Sequence, residues 1–324
     1  MKKVLITSLF LLLFVSCKKK ETVEEEVVPE PAPTVSCPTC NFPDTVFTST
    51  AAGPKLIFKF KFDSTQQRLD NFAMPATLPS TNEAQSPKFN GMSAHYIEMT
   101  KYDTTQVGHG VVLYRAEETN CGGANAITFC KSIVAKEGDV FFSVPIASIT
   151  PGTYKWLRVS LAYQNYDIKI KTNSTGTING TIASFVGFNT YVSKYKMHNA
   201  VMTPTLNGAG NKLQGYWGFY TNYASTDIKL EGQAAKTTVV NPNPGSAIPP
   251  GSCLVTGTFV TTAAPNVYAP LVITGTETSD IIITVSLSTN KSFEWTKVNA
   301  DGLYQPDAGE TVVDMGLRGM KPMH

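Results

Sequence analysis

The sequence predicts an all-β fold, an antiparallel β-sandwich with jelly-roll or Greek-key connections. Residues 56–62 read Leu-Ile-Phe-Lys-Phe-Lys-Phe, and this alternation places Phe58, Phe60 and Phe62 on one buried face of a strand. Clusters of Gly, Pro, Asn and Thr separate further strand-like runs. No segment carries a long 3.6-residue apolar period, so we expect strands rather than helices.

The first 17 residues have the form of a bacterial lipoprotein signal. Two lysines precede an apolar run over residues 4–15, which is too short to span a bilayer stably, and Cys17 follows Ser16. Cys17 resembles the lipobox cysteine that receives a diacylglyceryl group, although Phe14 stands where leucine is usual. An ordinary secretory peptide or a signal anchor is the alternative. The lipoprotein interpretation places the mature protein at the outer membrane, on its periplasmic or extracellular face.

Residues 18–54 are predicted to form a flexible, disordered tether, because charged residues and prolines dominate the start of this segment. Residues 55–324 are predicted to form the β-sandwich domain, with a C-terminal hairpin. A Pro-rich loop over residues 235–252 interrupts the domain. After residues 56–62, the predicted strand runs are 95–102, 110–115, 140–146, 153–171, 181–196, 212–223, 227–231, 254–260, 270–276, 280–288 and 292–298.

The charge balance argues against a nucleic-acid partner. The formal net charge is +2, and removal of Lys2 and Lys3 with the signal leaves 27 − 2 = 25 basic against 25 acidic side chains. A nucleic-acid-binding protein needs a basic field. Charged residues make up only 16% of the chain, which is typical of a secreted β protein rather than a helical cytosolic one.

Cysteine spacing predicts disulfides in an oxidising compartment. Cys121 and Cys130 flank a Gly-rich loop, and we expect them to pair. Cys37-Pro-Thr-Cys40 has the spacing of redox and zinc sites but no second such pair nearby, so a local or inter-chain disulfide is favoured. Cys253 is the odd cysteine and a candidate partner for one of that pair.

Residues 299–310 contain the pattern of a calcium loop. Alternating oxygen side chains, a glycine for a tight turn and a late carboxylate are what a hard cation needs. The predicted ligands, in a structural role, are Asn299, Asp301, Asp307 and Glu310. The alternative is a hairpin turn rich in Asx and Gly without metal.

Two histidines lie beside methionines, a combination that suits copper(I). His95 lies between Met92 and Met99, and His198 lies beside Met197. The methionines are equally suited to fill a core.

Four segments together resemble the MbnP-like domain, a β-sandwich module associated with copper handling. They are residues 56–62, 93–99, 151–159 and 212–219. The resemblance implies a β-sandwich at the cell envelope and copper chemistry that depends on histidines and a modified tryptophan. Neither the family's histidines nor its tryptophan can be matched to a numbered position in this chain.

Aromatic residues crowd the run 212–223. Tyr216, Trp217 and Tyr220 are candidates for stacking on sugar rings, and the alternative is that they pack in the core. No nucleophile elbow, phosphate loop or His-Glu-x-x-His motif occurs. The sequence therefore predicts a lipid-anchored, non-enzymatic envelope binding protein that handles copper, or alternatively one that captures glycans.

Overall fold

A computed structural model describes residues 37, 50–70, 74–198, 200–206, 210–234, 248–249 and 251–324. It confirms the all-β prediction, since every regular element in these residues is a strand or a short 3₁₀ turn. The same residues contain no helix that is long and apolar enough to cross a membrane. The signal with Cys17, most of the tether 18–54 and most of the Pro-rich loop 235–252 lie outside the described residues.

The strands are numbered along the chain. The 3₁₀ turns are Phe129–Lys131, Ile146–Ser148 and Pro306–Ala308. The strands are β1 (Lys55–Asp63), β2 (Asn82–Gln85), β3 (Lys88–Thr100), β4 (Val111–Arg115), β5 (Glu118–Thr119), β6 (Ala126–Thr128), β7 (Val140–Pro145), β8 (Gly152–Tyr154), β9 (Trp156–Thr172), β10 (Gly176–Phe185), β11 (Asn189–Val192), β12 (Tyr195–Met197), β13 (Ala200–Met202), β14 (Gly210–Leu213), β15 (Tyr216–Tyr223), β16 (Thr226–Gln233), β17 (Cys253–Thr258), β18 (Val260–Thr261), β19 (Ala264–Tyr268), β20 (Leu271–Ile273), β21 (Ile281–Ser288), β22 (Phe293–Thr296), β23 (Val312–Asp314) and β24 (Met320–Met323).

Two large sheets pack face to face. One has the order β19-β18-β24-β21-β1-β7, and the other has the order β16-β15-β10-β9-β3-β4, with β17 also paired to β9. Phe58 and Phe60 of β1 are buried in the same cluster as Leu157 and Val159 of β9. The predicted alternation of β1 therefore builds the core of a sandwich, because period-2 apolar residues all face the opposing sheet.

Among the described residues, three strand pairs depart from the antiparallel pattern: β1 with β21, β18 with β24, and β6 with β11. β1 runs parallel to β21, from Leu56 opposite Ile281 to Asp63 opposite Ser288, and antiparallel to β7. A parallel pair needs a long connection rather than a hairpin, and the chain between these two strands contains most of the molecule. Local sequence patterns cannot reveal such a pairing.

A bulge in β9 sets which side chains face the core. Ser93 of β3 lies opposite Tyr163, but the next residue, Ala94, lies opposite Leu161, so Ala162 is an extra residue in β9. Before the bulge, the odd-numbered residues of β9 face the six-stranded sheet. After the bulge, the even-numbered residues of β9, such as Tyr166, face this side. We call this the inner face of the seven-stranded sheet, and the opposite side the outer face.

The outer face is covered by small elements rather than by another large sheet. Tyr163, Phe185 and Tyr216 pack there against Tyr195 and Met197 of the β12–β13 hairpin. The sheet β14-β11-β6-β5 is close by, since Ile127 of β6 packs against Ala162. The sheet β2-β22-β23 instead packs on the inner face, where Phe293 and Trp295 meet Tyr166.

The disulfide pairing predicted for Cys121 and Cys130 is wrong. Cys121 is bonded to Cys37, with Cα atoms 5.6 Å apart, and Cys130 belongs to a different disulfide. β5 and β6 form a hairpin in which Thr119 lies opposite Ala126, so Cys121 lies in the turn and Cys130 lies beyond the end of β6. Cys130 lies in the 3₁₀ turn Phe129–Lys131, at the opposite end of β6 from the turn that holds Cys121. Cys253 is a free, buried thiol.

Candidate functional site

A cleft of about 920 Å³ opens on the outer face, and we call it the polar cleft. Four neighbouring strands, β3, β9, β10 and β15, contribute its main side chains. Its polar lining residues are Gln85, Ser86, Lys88, Asp167, Lys169, Asn179, Thr181, His198, Tyr220, Thr221 and Asn222. Its volume lies within the range of small-ligand sites, and polar groups converge on it.

Asp167 is the fixed acceptor in this cleft. Its Oδ1 accepts hydrogen bonds from Asn90 Nδ2 at 2.9 Å and from Thr181 Oγ1 at 2.6 Å. These two donors hold the carboxylate in one orientation. Its Oδ2 accepts no hydrogen bond from any residue that the structure describes, so this oxygen is available to a ligand.

Lysines and an aromatic ring complete the site. Lys88 and Lys169 are exposed at the cleft and supply donors beside Asp167. The half-buried ring of Tyr220 forms part of the wall, and its hydroxyl donates to Asp227 Oδ1 at 3.0 Å. That hydrogen bond raises the pKa of the Tyr220 phenol. The cleft can therefore accept hydrogen bonds, donate hydrogen bonds and stack an aromatic ring against a ligand.

The three aromatic residues predicted to bind sugar are not brought together. Tyr216 is fully buried on the outer side, where its hydroxyl donates to Glu231 Oε2 at 2.6 Å. Tyr220 lines the polar cleft, whereas Trp217 lies on the inner face and lines a second, apolar cleft with Phe219 and Leu230. Successive residues of a strand point to opposite faces, which separates Trp217 from Tyr216 and Tyr220.

His95 is a buried histidine held by a carboxylate. It is fully buried, and its Nε2 lies 3.0 Å from Oε1 of Glu118, which also pairs with Arg115 at 2.8 Å. Burial by itself would raise the pKa of Glu118, but hydrogen bonds from His95, Asn125 and Arg115 outweigh burial and lower it to about 2. The Nδ1 atom of His95 has no hydrogen-bond partner among the described residues. A carboxylate-held imidazole is the arrangement found at many metal sites.

The histidines and methionines considered as copper ligands lie in separate parts of the structure. Met92 and Met99 belong to the core on the inner face, and His95 instead contacts the Phe188 ring at 5.1 Å. His198 is exposed in the turn of the β12–β13 hairpin, at a positive φ of 48°, and borders the polar cleft. In the part of the chain that the structure describes, no three His, Cys, Asp or Glu side chains are grouped to hold a metal ion.

The predicted calcium loop is organised by hydrogen bonds of its own. Buried Glu310 accepts from the backbone N–H groups of Val298 and Asn299 with one oxygen and from that of Gln305 with the other. Asp301 pairs with Lys171 at 2.9 Å, and Asp307 accepts from the N–H of Asn173. The three predicted carboxylate ligands therefore serve separate partners, which is the hairpin-turn arrangement. Calcium binding here stays a prediction from sequence.

Sequence reasoning did not identify Asp167, Asn90 or Thr181 as site residues. The alternation Asp167-Ile168-Lys169-Ile170 does show that Asp167 and Lys169 share a polar face. It could not show that this face borders β10 and β15, because those pairings join distant parts of the chain.

Comparison with known proteins gives no relative for this chain. No family model matches it. No curated protein matches it, and no solved structure does.

Proposed function

We propose that this chain is a non-enzymatic binding protein of the bacterial cell envelope, and that the polar cleft captures a glycan. The lipid anchor at Cys17 is supported by the sequence of residues 1–17 alone. Mass spectrometry of the mature amino terminus tests it, and an unmodified terminus that starts at Met1 would contradict it.

The observation that carries the glycan proposal is the oriented carboxylate of Asp167 beside the Tyr220 ring. A sugar hydroxyl donates to a carboxylate oxygen, and Asp167 Oδ2 is available for this role. Lys88 and Lys169 supply N–H donors for the oxygens of the sugar. An aromatic side chain presents an apolar face against which the C–H groups of a sugar ring can pack.

The number of carboxylates in the polar cleft supports binding of a glycan rather than its hydrolysis. Asp167 is the only Asp or Glu among the described residues that line the polar cleft. Glycosidases generally use two carboxylates that flank the scissile bond. One oriented carboxylate can hold a sugar but lacks the partner that such a mechanism requires.

A glycan array probed with the mature chain, followed by calorimetry on each hit, tests this proposal. We expect Tyr220→Ala to weaken binding about tenfold, because it removes the stacking surface. Tyr223→Ala is the matched control, since Tyr223 is an exposed tyrosine of the same strand outside the cleft. Asp167→Asn should also weaken binding. Absence of any glycan hit, or equal losses for Tyr220→Ala and Tyr223→Ala, would contradict the proposal.

Copper handling remains a prediction that depends on the family resemblance. His95 is buried beside Glu118, and His198 lies on an exposed hairpin at the polar cleft. We therefore place the glycan site ahead of it.

A further inference from the structure

A second cleft, of about 690 Å³, lies on the inner face, and we call it the apolar cleft. The strands β9, β10, β15 and β16 form its floor, and β22, β23 and the segment 304–311 form its wall. Its apolar lining residues are Ile170, Ile178, Ile182, Trp217, Phe219, Ile228, Leu230, Ala234, Phe293, Tyr304, Pro306, Val312 and Met315. Both its size and its composition are typical of sites for small apolar ligands.

Two glycines shape the floor of this cleft. A Cβ atom at Gly232 would overlap the Trp217 indole, and a Cβ atom at Gly180 would overlap the Phe219 ring. Both rings therefore lie against the backbone of a neighbouring strand instead of standing up from the sheet. The space above the floor stays open because these two large side chains do not fill it.

The charges of the lining residues select against an anionic ligand. Asp307 and Glu310 are the charged residues among the described lining, and no Lys, Arg or His is present there. Two carboxylates without a cation repel a fatty-acid carboxylate, and the repulsion is strong where water is partly excluded. The carboxylate oxygens of Glu310 already accept three backbone N–H bonds.

Hydroxyl groups mark one end of the cleft. Thr172, Ser174 and Thr175 line it at the β9–β10 turn, and Thr172 Oγ1 lies 2.7 Å from Thr175 Oγ1 and 3.3 Å from Ser174 Oγ. Hydroxyls both donate and accept, so they suit an uncharged polar head group. The remainder of the lining suits a hydrocarbon chain.

We propose that the apolar cleft binds a neutral amphiphile, an acyl or alkyl chain whose head carries a hydroxyl group and no charge. The chain lies over Trp217 and Phe219, and the head meets the hydroxyls of the β9–β10 turn. This site is separate from the polar cleft, and its ligand is of a different chemical class.

Isothermal titration of the mature chain with 1-decanol and with decanoate at pH 8 tests the proposal, with both probes below their aggregation concentrations. We expect saturable binding of one decanol per chain. Decanoate should bind about tenfold more weakly because of Asp307 and Glu310. Absence of saturable decanol binding, or equal affinity for the two probes, would overturn the proposal.

A charge introduced at Leu230 sharpens the test. Leu230 is 53% exposed at the cleft, and Leu213 is 54% exposed on β14 outside it. Leu230→Arg should weaken decanol binding and strengthen decanoate binding, whereas Leu213→Arg should change neither, with thermal unfolding confirming that both variants fold. Equal effects of the two variants would overturn the proposal. A different result would also overturn it. If the unmodified chain bound no decanol, and sedimentation showed a dimer that Leu230→Arg breaks, the cleft would be an interface between two copies of the chain.

Discussion

Tyr220 and Trp217 lie three residues apart on one strand, yet they border clefts of opposite chemistry. On the outer face, Tyr220 shares its cleft with Asp167, Lys88 and Lys169. On the inner face, Trp217 shares its cleft mostly with aliphatic and aromatic side chains. The pleat of a single strand separates the two environments.

The two faces also differ in how completely they are packed. Phe185 on the outer face contacts four aromatic rings, with centroid distances from 5.1 to 5.4 Å, and it is fully buried. Phe219 on the inner face is nearly as buried but borders open space. Two aromatic residues of similar burial can therefore differ in how completely their surroundings are packed.

The largest expected effect tests this difference directly. Phe185→Ala should lower the free energy of unfolding by about 3–5 kcal/mol, because it removes a buried ring and leaves a cavity. Phe219→Ala should lower the free energy of unfolding by only about 1.5–3 kcal/mol, which is the free energy of transferring the ring from water to the protein interior. A cavity already adjoins this ring, so its removal creates little new cavity. Urea unfolding of both variants measures the two losses. Equal losses would show that the inner face is packed as tightly as the outer face.

A second pair of variants adds volume instead of removing it. On the outer face, a Cβ atom at Gly218 would overlap the hydroxyl of buried Tyr195, so Gly218→Ala should cost about 1–3 kcal/mol. On the inner face, Gly232→Ala should cost less than about 1 kcal/mol, since the half-buried Trp217 indole can move toward the cleft. Thermal unfolding of the two variants measures the costs. A larger loss of stability for Gly232→Ala than for Gly218→Ala would show that the inner face tolerates added volume less well than the outer face.

A third prediction concerns the acid sensitivity that Glu118 contributes on the outer face. The pKa of Glu118 is lowered to about 2, so its ionised form stabilises the fold above the unfolded-state pKa of about 4.5. This stabilisation should be lost as the pH falls from about 4.5 to about 2. We expect it to amount to about 1–2 kcal/mol, since solvent reaches part of the group.

Glu118→Gln should flatten the pH dependence of the free energy of unfolding over that interval. Asp227→Asn is the control, because Asp227 is fully exposed and water screens its contacts with Tyr220 and Asn222. Urea unfolding at several pH values between 2 and 5 gives both slopes. A Glu118→Gln slope equal to that of the unmodified chain would refute the assignment.

The sequence predicted some strands in detail and others poorly, for physical reasons. From Phe58 to Phe62 of β1, aromatic and basic residues alternate, so the pattern alone gives the buried positions Phe58 and Phe60. Phe62, predicted to be buried with them near the end of the strand, is only partly buried. The predicted run 153–171 is instead two strands, because the backbone of Lys155 bonds Thr100 and Phe259 and separates β8 from β9. The Ala162 bulge lies in an apolar stretch, where alternation carries no signal.

The candidate site was predictable only in part. Tyr220 was identified as a candidate because aromatic residues crowd its strand, but its separation from Trp217 follows from strand register. Asp167 gains its role from Asn90 and Thr181, which come from two other strands. The pairing of Cys121 with Cys37 also depends on tertiary structure, since spacing alone favoured the nearer Cys130.

The bond between Cys37 and Cys121 determines where a pull on the amino terminus is first resisted. Tension that arrives along the chain reaches Cys37 before it reaches β1, and the covalent bond diverts it to the turn between β5 and β6. The point at which such a pull enters the fold is thus moved away from the central parallel pair of β1 and β21.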